Sequence, residues 1–292
     1  MRGKYTFKQN GVVVGESENL ITTAGRKAII DYMAGYNQTL AGAIALGIGT
    51  TAATVSDKSL ALEVFRVPVD LSSADYANNA VVFKGKVPAE REFTVYEAGI
   101  QTLFTSGLDS DSQLLLDFNA DTDLWTSGTY SSTNSRLGQA LQVTAGASTT
   151  TTTSLSGIFY DLTPYSDVDQ FVFAYRANNA FVSTLVIRFK TDASNYYSYS
   201  IAAPSSGVYT ITSFNKSAVS TTGAPSWANI TSVDILVTAT AGGTASIDLD
   251  AVRIEDRDSI REDNVLVSRS VLGAPVVKTL NIPLDVEYSI TL

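Results

Sequence analysis

Chemistry in this chain rests on carboxylates, hydroxyls, amines and aromatic rings, because its 292 residues contain no histidine and no cysteine. That excludes His-based triads, thiol nucleophiles, disulfides and metals held by Cys or His. Glycosidases work through two carboxylates. The 29 acidic residues make chance pairs inevitable, and no motif singles two of them out. No catalytic residue is assigned, and an enzyme is not expected. The spacing that does stand out suits binding. If Phe171, Phe173 and Tyr175 face a core, Arg176 faces out; if Leu185, Ile187 and Phe189 do, Arg188 and Lys190 face out. In 196–201 the Tyr197, Tyr199, Ile201 set is the more apolar, which leaves Tyr196 and Ser198 outward. Arg176, Arg188, Tyr196 and Ser198 are therefore the candidate glycan-binding residues, since a sugar needs an aromatic face beside hydrogen-bonding groups. The bland alternative is a solvated sheet face. Trp125 and Trp227, the two tryptophans, read as core or rim packing. Asp109, Asp111, Asp121 and Asp123 lack the glycine and terminal Glu of an EF-hand loop and read as solvated loop.

The elements that would carry these residues are mostly strands. Runs at 4–8, 81–87, 93–97, 170–176, 184–190, 209–212, 232–238, 245–249 and 283–290 alternate or concentrate β-branched and aromatic residues. Gly, Asn, Asp, Ser and Pro separate them. One short helix is expected, capped by Thr22-Thr23, with Ala28, Ile29, Tyr32 and Met33 on one face and Gly35 ending it. The fold class is all-β: a β-sandwich domain with an inserted jelly-roll β-sandwich domain.

Composition marks the insertion. From 114 to 254 there is no Glu, every acid is Asp, and Ser and Thr abound, including the run Thr149 to Thr153. Polar stretches at 105–112 and 255–264 flank this region. The expected division is a discontinuous first domain, 1–106 plus 259–292, and an inserted domain, 107–258. A sandwich whose first and last strands pair brings its ends together, so it can sit in a loop of another domain. Net charge is −9, which disfavours a nucleic-acid partner. No apolar stretch approaches a membrane span, and residues 1–10 lack the apolar core of a signal peptide.

Asn19-Leu20-Ile21-Thr22-Thr23-Ala24-Gly25-Arg26-Lys27 begins a set of residues with a familiar pattern. It continues through Ile44 to Ala52, Asp57, Leu60, Glu63-Val64-Phe65-Arg66 and Tyr96-Glu97-Ala98-Gly99-Ile100. This resembles the N-terminal modules of tail-fibre and baseplate-type structural proteins of tailed bacteriophages. The likeness extends to 265–292. Read from the residues alone, Gly47 and Gly49 suit a turn or a close backbone approach, and Glu63 could pair with Arg66 across a turn.

The inserted stretch resembles jelly-roll carbohydrate-binding modules through Leu116-Asp117-Phe118, Trp125, Leu162, Tyr165, Asp169, the run 227–235 and the closing Ile247 to Ile254. That resemblance implies paired first and last strands. It also implies a structural calcium held by Asp117 and Asp250, with Asp248 a weaker candidate. No other cofactor is implied. The function expected is that of a virion structural protein of the tail, baseplate or fibre assembly, with a projecting jelly roll that adheres weakly to host-surface glycans. Its partners would be other virion proteins, copies of itself and host-surface polysaccharide, with no nucleic acid and no membrane insertion. Its location would be the virion, assembled in the host cytoplasm. The alternatives are a capsid decoration, head-fibre or collar protein without glycan binding and, behind these, a glycan depolymerase.

Overall fold

The computed structural model describes residues 2–36, 39–103, 114–120, 124–255 and 265–291. The chain forms two compact units, Met1–Leu114 with Ser259–Leu292, and Leu115–Asp258. The expected boundaries at 106/107 and 258/259, and Asp109, Asp111, Asp121 and Asp123, lie outside the described residues.

The chain opens with β1 (Arg2–Gln9), β2 (Val12–Glu18), β3 (Leu20–Ile21) and helix α1 (Thr23–Met33). Strands β4 (Ala43–Gly47), β5 (Glu63–Pro68), β6 (Leu71–Asp75), β7 (Ala80–Val87) and β8 (Phe93–Gln101) follow. Next come β9 (Leu114–Leu116), β10 (Thr129–Ser131), β11 (Ala140–Ala145), β12 (Thr150–Tyr160), β13 (Gln170–Ala177), β14 (Val182–Lys190) and β15 (Tyr196–Ala202). Then come β16 (Tyr209–Asn215), β17 (Ser220–Thr222), β18 (Ile230–Ala239) and β19 (Ala245–Glu255), before β20 (Leu266–Lys278) and β21 (Leu284–Thr291). Among the described residues the chain is thus all-β apart from α1 and one short 3-10 turn. Among the described residues no helix is long and apolar enough to cross a membrane.

The first unit holds two five-stranded sheets, ordered β2-β1-β21-β7-β6 and β3-β20-β8-β4-β5. Alternation explains the first. Tyr5 and Phe7 of β1 and Val286 and Tyr288 of β21 are fully buried, and the Tyr5 and Tyr288 rings lie 4.7 Å apart. Lys4, Thr6 and Lys8 turn outward, where Lys8 and Lys84 both reach Glu287. Removing each such large apolar side chain from water contributes about 1.5–3 kcal/mol.

Helix α1 begins where Thr22 accepts the Gly25 N–H on its hydroxyl, and Gly35 ends it at φ +77°. Its buried residues are Gly25, Ala28 and Ile29. The expected face is corrected at its far end, because Tyr32 and Met33 are exposed. The helix lies close to β20 at its first turn, where a Cβ on Gly25 would collide with the Val267 carbonyl.

The second unit is a sandwich of two sheets, β10-β11-β19-β13-β16 with β9 paired to β19, and β12-β18-β14-β15-β17. Its core is built from Phe171, Phe173 and Tyr175 of β13, Ile247 and Leu249 of β19, Leu185, Ile187 and Phe189 of β14, and Val233, Ile235 and Val237 of β18. Four of the five threonines of the run, Thr150 to Thr153, lie in β12, and Thr153 is buried and donates to the Ser127 carbonyl at 2.6 Å.

Candidate functional site

In the second sheet of the sandwich, every residue between two core positions points out, and register aligns these residues in rows across the strands. One row runs Ser154, Asp234, Arg188, Ser198, Ser220; the next runs Ser156, Ser232, Lys190, Tyr196, Thr222. The Arg188 guanidinium carbon sits 4.6 Å from the Tyr196 ring centroid. Lys190 Nζ pairs with Asp234 Oδ2 at 2.8 Å. Asp234 Oδ1 and Arg188 Nε are buried without a hydrogen-bond partner among the described residues. The result is one aromatic ring, two cations and one carboxylate set among hydroxyls. Such a face can stack on a sugar ring and exchange hydrogen bonds with its hydroxyls.

Arg188, Tyr196 and Ser198 therefore share a face, whereas Arg176 does not. It belongs to β13, in the opposite sheet of the sandwich, and the expected four-residue patch is corrected on that point. Parity predicted that Arg176 faces outward but could not tell which of two outward faces it joins. There its row is Tyr209, Arg176, Asp248, Gln142. Arg176 donates to Asn178 Oδ1 at 3.2 Å, and Asp248 accepts from Gln142 and Asn134. Arg136 lies 3.7 Å over the Tyr209 ring. Asn134 and Arg136 come from an irregular segment with no periodic signal, so strand reasoning could not find them. Lys190 and Asp234 were accessible to the same parity argument that located Arg188.

Asp250 is the extra residue of a bulge in β19, between the partners of Ala174 and Tyr175. It is buried and accepts from Ser135 Oγ at 2.7 Å, from the Arg136 N–H at 2.8 Å and from the Tyr209 hydroxyl. Burial pushes its carboxyl above the usual range, and these hydrogen bonds only partly offset that. Asp117 turns back on itself, accepting the Asn119 N–H at 3.1 Å. Among the described residues no three of His, Cys, Asp or Glu gather where they could hold a metal ion.

Trp227 stacks on Tyr197 with centroids 3.7 Å apart, and Trp125 on Phe118 at 5.1 Å; both pack against the sandwich core. Lys216 stands over Trp227 and donates to the Leu162 and Tyr165 carbonyls.

In the first unit, residues from the stretches 44–66, 96–100 and 265–292 converge on Glu97. Fully buried, it accepts the N–H groups of Gly49, Ala61 and Leu62 at 2.9–3.0 Å and the Arg269 guanidinium at 2.7 Å. A Cβ on Gly49 would collide with Glu97 Oε1, so the glycine admits the carboxylate. Arg269 also reaches Asp57 at 2.6 Å and the Thr51 carbonyl at 2.9 Å. Burial opposes ionisation of Asp57, but hydrogen bonds from Thr54 and Arg269 outweigh it and hold its carboxyl below the usual range. Glu63 and Arg66 pair at 2.7 Å, within β5 rather than across a turn. A bulge leaves them opposite Gly47 and Ala45, two apart on β4, and so on one face. Each of these groups is satisfied by another, which is the chemistry of a structural knot.

No family model matches the chain, and no curated protein matches it. Among solved structures, the chain is similar to a family 11 carbohydrate-binding module from Clostridium thermocellum in complex with a β-1,3-1,4-mixed-linked tetrasaccharide. That likeness has 16% identity and a TM-score of 0.38, and covers 49% of this chain and 94% of that one. The chain is also similar to a carbohydrate-binding module specific for non-crystalline cellulose, at 13% identity and a TM-score of 0.32, over 48% of this chain and 86% of that one. A third is an exo-β-agarase, at 11% identity and a TM-score of 0.41, over 50% of this chain and 25% of that one.

Proposed function

We propose that this chain is a virion structural protein of a tailed bacteriophage, part of the tail, baseplate or fibre assembly. In this reading the second unit is a weak adhesin for host-surface glycans. The observation that carries the adhesive half is the Arg188–Tyr196–Ser198 face, with Lys190 and Asp234 in adjoining positions. Arginine and lysine there offer charged donors to hydroxyls, with Asp234 buried behind Lys190, while Tyr196 offers a ring face. A single such face binds weakly, and many copies on one particle raise the avidity. The assembly half is supported by the sequence resemblance, whose residues gather around Glu97 and Arg269. The role is binding, not catalysis, and the chain would be assembled into particles in the host cytoplasm.

One observation favours the second reading, a decoration, head-fibre or collar protein without glycan contact: Arg188 already covers one side of the Tyr196 ring. Binding of the full chain to plates coated with bacterial surface polysaccharides decides between them. Arg188→Ala and Lys190→Ala should each weaken retention about tenfold or more, the loss of roughly 1.5 kcal/mol per charged hydrogen bond. Retention equal to that of the unsubstituted chain, or none for any polysaccharide, would leave the second reading.

A further inference from the structure

We propose that the first unit self-associates, with β2 of one copy lying in a groove beside α1 of another. The groove is a cavity of about 690 Å³ on the first unit. Ile21, Ile30 and Met33 give it apolar walls, and Arg2 and Arg26 outnumber the one carboxylate there, Glu18, which leaves it net positive. Neither arginine is ion-paired among the described residues. Ile30 is 65% exposed and Met33 73%, whereas Ala28 and Ile29 of the same helix are buried. Asn19 also lines the groove. Its Nδ2 donates to the Tyr288 hydroxyl at 2.7 Å, and its Oδ1 is buried without a donor among the described residues.

The same unit carries the complementary segment. β2 is the edge strand of its sheet, paired to β1 on one side only. Its sequence, Val12-Val13-Val14-Gly15-Glu16-Ser17-Glu18, is apolar and then acidic. The three valines are 65%, 49% and 42% exposed. Proteins guard such edges with lysine, proline, other charges, bulges or a covering element; β2 has neither lysine nor proline, and its bulge and its glutamates lie beyond Val12 and Val13. Unpaired cations and apolar walls in the groove thus match carboxylates and valines on the strand. Glu16 is held by Lys4 at the surface, a half-exposed pair that exchanges readily. Glu18 lines the groove at the end of β2, so strand and groove form one continuous surface. If the contact is reciprocated about a two-fold axis it closes a dimer; if not, it builds a ring or filament.

This inference names a surface for the assembly half of the proposed function. Its test reads self-association alone, so it and glycan adhesion can fail separately. Light scattering after size-exclusion chromatography of the full chain, at roughly ten times a micromolar Kd, should give a multiple of 31.1 kDa. Val13→Lys and Ile30→Asp alter exposed side chains, so each variant should keep its melting temperature and run as a monomer. Mixing the two should restore association, because the intact groove of the first meets the intact strand of the second. An unsubstituted chain that is monomeric, variants that still associate, or a mixture that stays monomeric would each overturn the proposal.

Discussion

Glu97 shows how one carboxylate organises a large share of the first unit. Three backbone N–H groups and an arginine fill its acceptor sites, so replacing it leaves Arg269 buried with less compensation. Glu97→Gln also turns an amide NH₂ toward donors. Urea denaturation should show a loss of about 3–5 kcal/mol, the range for breaking a buried ion pair. A loss below about 1 kcal/mol would mean the knot is ornamental. A second residue-scale expectation concerns alkaline pH. Burial pushes the Tyr288 phenol up to about 12 and raises Tyr5 well above its ordinary value. The unfolded chain releases these protons near the ordinary phenol value of 10.0, so unfolding is favoured once pH passes it. Their contribution is complete below pH 10.0 and is lost as pH rises toward about 12. Thermal melts between pH 9 and 12 should show a steep fall, and Tyr288→Phe should make it shallower.

At the scale of elements, α1 depends on its closeness to β20. Gly25→Ala forces a methyl against the Val267 carbonyl. The helix must shift, at a cost of about 1–3 kcal/mol, measurable as a lower melting temperature. The elements also show what could be read beforehand. Strands with clean alternation, such as β1 and β14, were legible because one face meets a core and the other is more open to water. β12 was less so, since its threonines look the same on both faces and only packing sends Thr153 inward. β2 escaped because three successive valines show no alternation, and it is one of the edge strands, paired on one side only. Side-chain parity placed Arg176 and Arg188 both outward correctly, but an outward direction does not identify a sheet. That depends on non-local pairing: β13 lies between β19 and β16, β14 between β18 and β15. The donors around Asp250 were illegible because they converge from β16 and an irregular segment far apart in sequence.

For the whole molecule, the division into two units with separate contacts makes the second a candidate for independent folding. It has its own core, and β9 pairs with β19, so its chain ends approach each other. The excised segment 115–258 should therefore melt cooperatively and keep near-ultraviolet circular dichroism from its stacked rings; loss of that signal would mean it needs the first unit. The account joins an assembling unit to an adhesive one, and the most direct measurement addresses both. Fab fragments raised against the 115–258 segment should decorate intact phage particles and slow their adsorption to host cells. Particles that carry the chain but bind no Fab, or adsorb unchanged while decorated, would contradict it.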